Sequence, residues 1–266
     1  MDNAFEILIK PISEVWESLK SQAKGQASIC EFTRFVHDHP AYRNALISRF
    51  TQEELFAIDG MPEHLLLSNK LSIESYDLLN SNKEVLLYPF LVNSWAVTET
   101  AFDDLIIRLL INDVNASEKL LAVGIENLKN FIVGSDLWVN YMFKRIENKA
   151  SSSANNRDFE YHKKCLSYFE INLEYPSERV TVLKIINQIR NCILHNQGIV
   201  RQQDVLKCPS LSAYIGKRIP ADEPVFLDCL TWISDYTVAW ISAIMHSPYC
   251  DGVMLKDAIN PFATKA

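Results

Sequence analysis

The sequence predicts an all-α protein built as a helical bundle. Only 7 of the 266 residues are glycine, under half the proportion usual in soluble proteins. All-β folds and phosphate-cradling loops both consume glycine. Apolar residues recur at helical spacing along much of the chain. The hydrophobic share of 48% and charged share of 22% are those of an ordinary globular protein, so the chain can build a core. No G-x-G-x-x-G or Walker A string occurs, which removes the nucleotide-binding readings that depend on one.

The elements follow in order. Residues 1–85 read as an N-terminal helical region of short helices, of unknown role. Its first stripe is Ile7, Leu8, Pro11, Ile12, Val15, Trp16 and Leu19. Pro40, Asp59–Gly60, Pro62 and Ser81–Asn82 punctuate the rest. Residues 86–250 read as the bundle, and 251–266 as a C-terminal tail. After Pro89 a long helix is predicted over 90–110, with Leu91, Trp95, Thr98, Phe102, Leu105, Ile106 and Leu109 on one face. Further helices are predicted over 117–133 and 138–147. Lys149 to Arg157 is Ser/Asn-rich and reads as an exposed, mobile loop. A helix over 159–171 follows. Ser177 is the predicted N-cap of the next helix, with Glu178 at its positive end and Gly198 as its stop. The chain from Gly198 to Pro224 reads as irregular. A last helix spans 225–246. Its apolar run contains Asp228 and Asp235, each costing about 2.5–3.5 kcal/mol near the centre of a bilayer. It reads as a core helix, and no membrane partner is expected.

The formal charge is −7, which argues against sequence-blind adhesion to nucleic acid or acidic lipid. The charge is unevenly spread. From Lys144 to Arg218 there are 13 Lys/Arg against 7 Asp/Glu, a basic segment inside an acidic chain. The six cysteines, Cys30, Cys165, Cys192, Cys208, Cys229 and Cys250, show no C-x-x-C spacing. They read as free thiols of a cytoplasmic protein. The N-terminus has no basic stretch ahead of its apolar residues and is not read as a signal peptide.

The helix over 178–197 carries the candidate chemistry. Val182, Ile185, Ile186, Ile189 and Ile193 form its expected core stripe. Asn187, Arg190, Asn191, Leu194 and His195 fall on an adjacent arc. Asn191 and His195 are i,i+4 neighbours, about 5–6 Å apart at Cβ. Leu194 suggests that this second face is covered as well, by another chain. The arginine offers a rigid, permanently charged fork to a phosphate. The histidine can move a proton near neutrality. Attack of a ribose 2′-hydroxyl on its own phosphate needs one group to take a proton and another to give one. A single His195 cannot do both in one step, but a two-fold dimer supplies two histidines.

The string Arg190-Asn191-Cys192-Ile193-Leu194-His195-Asn196-Gln197-Gly198 resembles the R-x(4–6)-H motif of the HEPN superfamily. The resemblance covers roughly residues 86–247. It implies a HEPN-like core of four or five helices and a metal-independent endoribonuclease of toxin or anti-phage defence type. It implies RNA as substrate, a homodimer through the motif helix, and an antitoxin or regulatory protein as a further partner. Arg190 would bind the scissile phosphate, His195 would be the general acid/base, and Asn191 would orient the histidine or the phosphate. Glu99, in the string TETAFDDLI, would lie on the first bundle helix and brace Arg190, a weaker match. The products would be a 2′,3′-cyclic phosphate and a 5′-hydroxyl. No cofactor and no metal are expected. The alternative is a non-catalytic HEPN-like module that binds a nucleotide, a nucleic acid or a partner protein. A third reading is a purely structural helical adaptor.

Other candidates read more simply. Arg34 to His39 also fits the bare spacing, but Pro40 follows at once and no Asn follows the arginine. His37, His39 and Cys30 lack the context of a metal site. Cys192 reads as an apolar filler. Trp232, Tyr236 and Trp240 read as a core or dimer stripe rather than a base-stacking platform. Lys163–Lys164 and Lys217–Arg218 read as solvated faces, with a phosphate track as the competing reading.

Overall fold

In a computed structural model, which describes residues 4–21, 84–126, 131–152 and 158–251, helix α1 covers 4–21 and includes a π turn at Phe5–Ile9. The remaining helices are α2 (Glu84–Asn112), α3 (Ala116–Ala122), α4 (Asp136–Ser151), α5 (Phe159–Ser167), α6 (Ser177–Asn196), α7 (Gln202–Lys207) and α8 (Glu223–Met245). Short 3₁₀ turns cover Pro209–Tyr214 and Pro248–Asp251. The fold is all-α: among the described residues there is no β-strand, and isolated bridges join Ile199 to Arg218 and Val200 to Ile215. No described helix is long and apolar enough to cross a membrane.

Helix α2 is the axis of the molecule and packs against α8, α6 and α4. Tyr88 stacks on Phe226 and Phe102 packs on Trp240, so α2 and α8 run parallel. Arg190 meets Glu99 and, eight residues later, Gly198 meets Tyr88, so α6 runs antiparallel to both. Leu87, Leu91, Trp95, Phe102, Leu105 and Leu109 supply the buried face of α2. His162 of α5 sits inside the core, its Nδ1 2.9 Å from the Tyr236 hydroxyl and its ring 4.1 Å from that of Phe102. Tyr236 and Trp240 are therefore core residues, while Trp232 is half-buried under the Arg179 guanidinium. Helix α1 buries Leu8, Ile12 and Leu19 in this same core.

Several element boundaries differ from the sequence reading, each for a local reason. Helix α2 begins at Glu84 and contains Pro89. As the sixth residue of the helix, Pro89 lies past the first turn and removes one backbone hydrogen bond to the carbonyl four residues earlier. Helix α3 stops at Ala122 because Gly124 turns left-handed at φ 74°; it does not continue to Val133, and residues 127–130 lie outside the described ones. Helix α4 runs through Lys149 and a buried Ala150 to Ser151, so the predicted loop is shorter, and residues 153–157 lie outside the described ones. Helix α5 ends at Ser167, ahead of Glu170 at φ 62°. Ser177 is the first residue of α6 rather than its cap, and its hydroxyl bonds Glu178. The segment 198–224 is ordered around α7 and a 3₁₀ turn. Cys30, Arg34, His37 and His39 lie outside the described residues.

Candidate active site

Helices α2 and α6 together hold the motif arginine. Glu99 Oε2 accepts from Arg190 Nη2 at 3.0 Å, and Glu99 Oε1 accepts from Trp95 Nε1 at 3.1 Å. Arg190 Nη1 donates to Asn191 Oδ1 at 2.9 Å. The two charged side chains are only 18% and 17% exposed, so the pair is poorly screened. A guanidinium has five N–H donors. These contacts use two, and Nε is buried with no partner among the described residues. One N–H on each of Nη1 and Nη2 remains for a ligand.

His195 lies one turn beyond Asn191 and is exposed. No described residue bonds to it. Glu99, Arg190 and Asn191 are thus joined by contacts, while His195 joins them only through helix geometry. Leu194 is 46% exposed beside it, and Ile199 and Ile215 are 38% and 43% exposed just past the helix end. The core face of α6 is rotated from the predicted stripe. Leu183, Ile186, Asn187, Ile189 and Cys192 are buried, whereas Val182, Ile185 and Ile193 are half-buried against the edge of the core. Burial pushes the Cys192 thiol up to about 11, with Asp204 adding to the effect, so it is a filler and not a nucleophile.

The end of α6 is fixed by residues that the motif did not reveal. The buried Asp204 carboxylate accepts from Gln188 Nε2 at 2.9 Å, Asn196 Nδ2 at 3.3 Å and the Arg201 N–H at 2.8 Å. Gln197 and Gly198 both turn left-handed, at φ 55° and 80°. The Gly198 N–H closes the helix on Cys192 O at 3.0 Å. A Cβ at Gly198 would stand 2.6 Å from the Tyr88 ring, and the Tyr88 hydroxyl donates to Ile219 O. Two buried amides on α6, Gln188 and Asn196, were the signal for a shared acidic partner.

A cleft of about 460 Å³ opens at the far end of the bundle, lined by Asn172, Glu174, Ala239, Ser242, Ala243 and His246. It holds no residue of the motif. No protein-family model, curated protein or solved structure matches this chain.

Proposed function

We propose that the protein is a metal-independent, cytoplasmic endoribonuclease with a HEPN-like bundle, acting as a homodimer in a toxin or defence setting. The observation that carries this reading is the braced Arg190, with one N–H on each Nη to spare, on the same helix as an exposed His195. Arg190 binds the scissile phosphate and the extra charge of its pentacoordinate transition state. The 2′-oxygen forms a bond to phosphorus as the bond to the 5′-oxygen breaks. One His195 takes the 2′-hydroxyl proton, and the second copy's histidine protonates the departing 5′-oxygen. The exposed apolar Leu194, Ile199 and Ile215 suit burial against that second copy. An antitoxin or other regulatory protein would act by covering this face.

A second reading is favoured by Glu99. Its carboxylate neutralises Arg190 at 3.0 Å, as expected of a non-catalytic module in which the arginine is a structural or ligand contact. Purified protein incubated with labelled RNA in EDTA, beside Arg190→Ala and His195→Ala, separates the two. Cleavage to 2′,3′-cyclic phosphate ends, lost by at least about 100-fold in either variant, supports the nuclease. Loss of cleavage in EDTA overturns the metal-free mechanism. Survival in both variants moves the site elsewhere. Binding of RNA without cleavage supports the second reading.

A further inference from the structure

Helix α6 buries three amide side chains, Asn187, Gln188 and Asn196, and satisfies two of them. Gln188 and Asn196 both donate to the Asp204 carboxylate, at 2.9 and 3.3 Å. Asn187 is only 4% exposed, and its carboxamide has no hydrogen-bond partner among the described residues. An amide offers two N–H donors and a carbonyl acceptor. Buried polar groups are nearly always paired, and one that is not calls for an unseen partner. Asn187 lies one turn before the motif. Residues three and four apart on a helix are neighbours, about 5–6 Å apart at Cβ, so Asn187 sits beside Arg190 and Asn191. Both of these have donors to spare. Arg190 keeps one N–H on each Nη, and Asn191 accepts from Arg190 through Oδ1 and keeps its Nδ2 group. Each Glu99 oxygen already takes one N–H, from Arg190 and from Trp95. The groups left over beside Asn187 are donors, which suits an oxyanion.

We propose that Asn187 Nδ2 donates to a non-bridging oxygen of the phosphate that Arg190 binds. This rests on the ribonuclease reading above and adds a contact residue to it. A neutral donor suits the position, because it holds a phosphate oxygen without setting a second cation against the guanidinium. The amide is unpaired in the free protein because its acceptor arrives with the substrate. The contact reads the backbone and not the base, so it applies to RNA of any sequence.

The test compares the full-length protein with Asn187→Leu and Asn187→Asp. Cleavage of short oligouridylate and oligoadenylate gives kcat/KM, and fluorescence anisotropy in a non-cleaving His195→Ala background gives Kd for both. Urea denaturation gives the midpoint of each protein. Leucine is close to asparagine in size and removes the donors. The expected result is a loss of at least about tenfold in kcat/KM and affinity, with a midpoint that holds or rises, because an apolar side chain relieves an unpaired amide. Aspartate keeps the shape but sets a negative charge beside the phosphate, and is expected to weaken binding at least as far. A leucine variant with a lowered midpoint and an unchanged Kd makes Asn187 structural and overturns the contact. An aspartate variant that keeps the parent's affinity overturns it too, since the group would then be an acceptor; this variant decides alone if the leucine variant does not fold. If the parent cleaves and neither variant changes, the contact falls while the ribonuclease reading stands. If the parent neither cleaves nor binds either oligonucleotide, that reading falls and the contact with it.

Discussion

Arg190 and Glu99 lie 91 residues apart in the chain and 3.0 Å apart in space, joining α6 to α2 at the motif. Removing either partner alone strands a poorly solvated charge. We expect Arg190→Ala and Glu99→Ala each to cost about 1–3 kcal/mol, and the double variant to cost less than their sum by about 1–2 kcal/mol. Urea denaturation of the four proteins gives the cycle. Strict additivity would mean that the pair contributes nothing to the fold.

Gly198 is confined by its backbone and by its neighbour. At φ 80° an alanine is strained, and its Cβ would meet the Tyr88 ring at 2.6 Å. Gly198→Ala is expected to cost about 2–4 kcal/mol in urea denaturation. Adding Tyr88→Leu relieves the clash but not the dihedral strain, so about 1 kcal/mol of penalty at residue 198 remains. An alanine variant as stable as the parent would contradict this geometry.

Asp204 satisfies three donors at once. Asp204→Ala leaves Gln188, Asn196 and the Arg201 N–H without their acceptor. The expected cost is about 3 kcal/mol or more. Hydrogen exchange at the Arg201 amide should quicken in proportion. An unchanged exchange rate would show that another group holds this end of α6.

Several buried thiols and phenols keep their protons unusually far into the alkaline range. Burial raises Cys192 to about 11 and Cys229, Tyr88 and Tyr168 to about 12. Unfolded thiols and phenols ionise near 8.5 and 10. The unfolded chain therefore releases protons first, and stability falls as pH rises. The urea midpoint should hold up to about pH 8 and then decline, each group adding up to about 1.4 kcal/mol per pH unit between its two values. Cys192→Ala should flatten the decline between about 9 and 11. A midpoint constant to pH 11 would contradict the burial of these groups.

The all-α class was legible because low glycine content and helical periodicity act over the whole chain. Local boundaries were less legible. Pro89 reads as a break, yet α2 runs through it with the loss of one backbone hydrogen bond. Ser177 reads as a cap, yet Pro176 holds that position. Of the predicted stripe, Ile186 and Ile189 are buried while Val182, Ile185 and Ile193 pack half-buried at the edge of the core, since apolar pattern ignores the buried amides that α6 turns towards Asp204. Within the candidate site, Arg190, Asn191 and His195 came from one short string. The Glu99 contact could be stated only as an expectation, because a helix sequence does not say which neighbour it meets. Asp204 and Tyr88 had no motif at all, and their roles appear only once distant segments pack.

The Tyr88 hydroxyl reaches Ile219 across 131 residues of chain, and its ring covers Gly198 between them. The motif is thus clasped by one segment made early and another made late. Synthesis proceeds from the N-terminus at a finite pace, and contacts this distant in sequence form slowly. A nascent chain that ends before Ile219 carries every residue of the motif but lacks the clasp that seats it. The arrangement ties completion of the site to synthesis of the chain through Ile219.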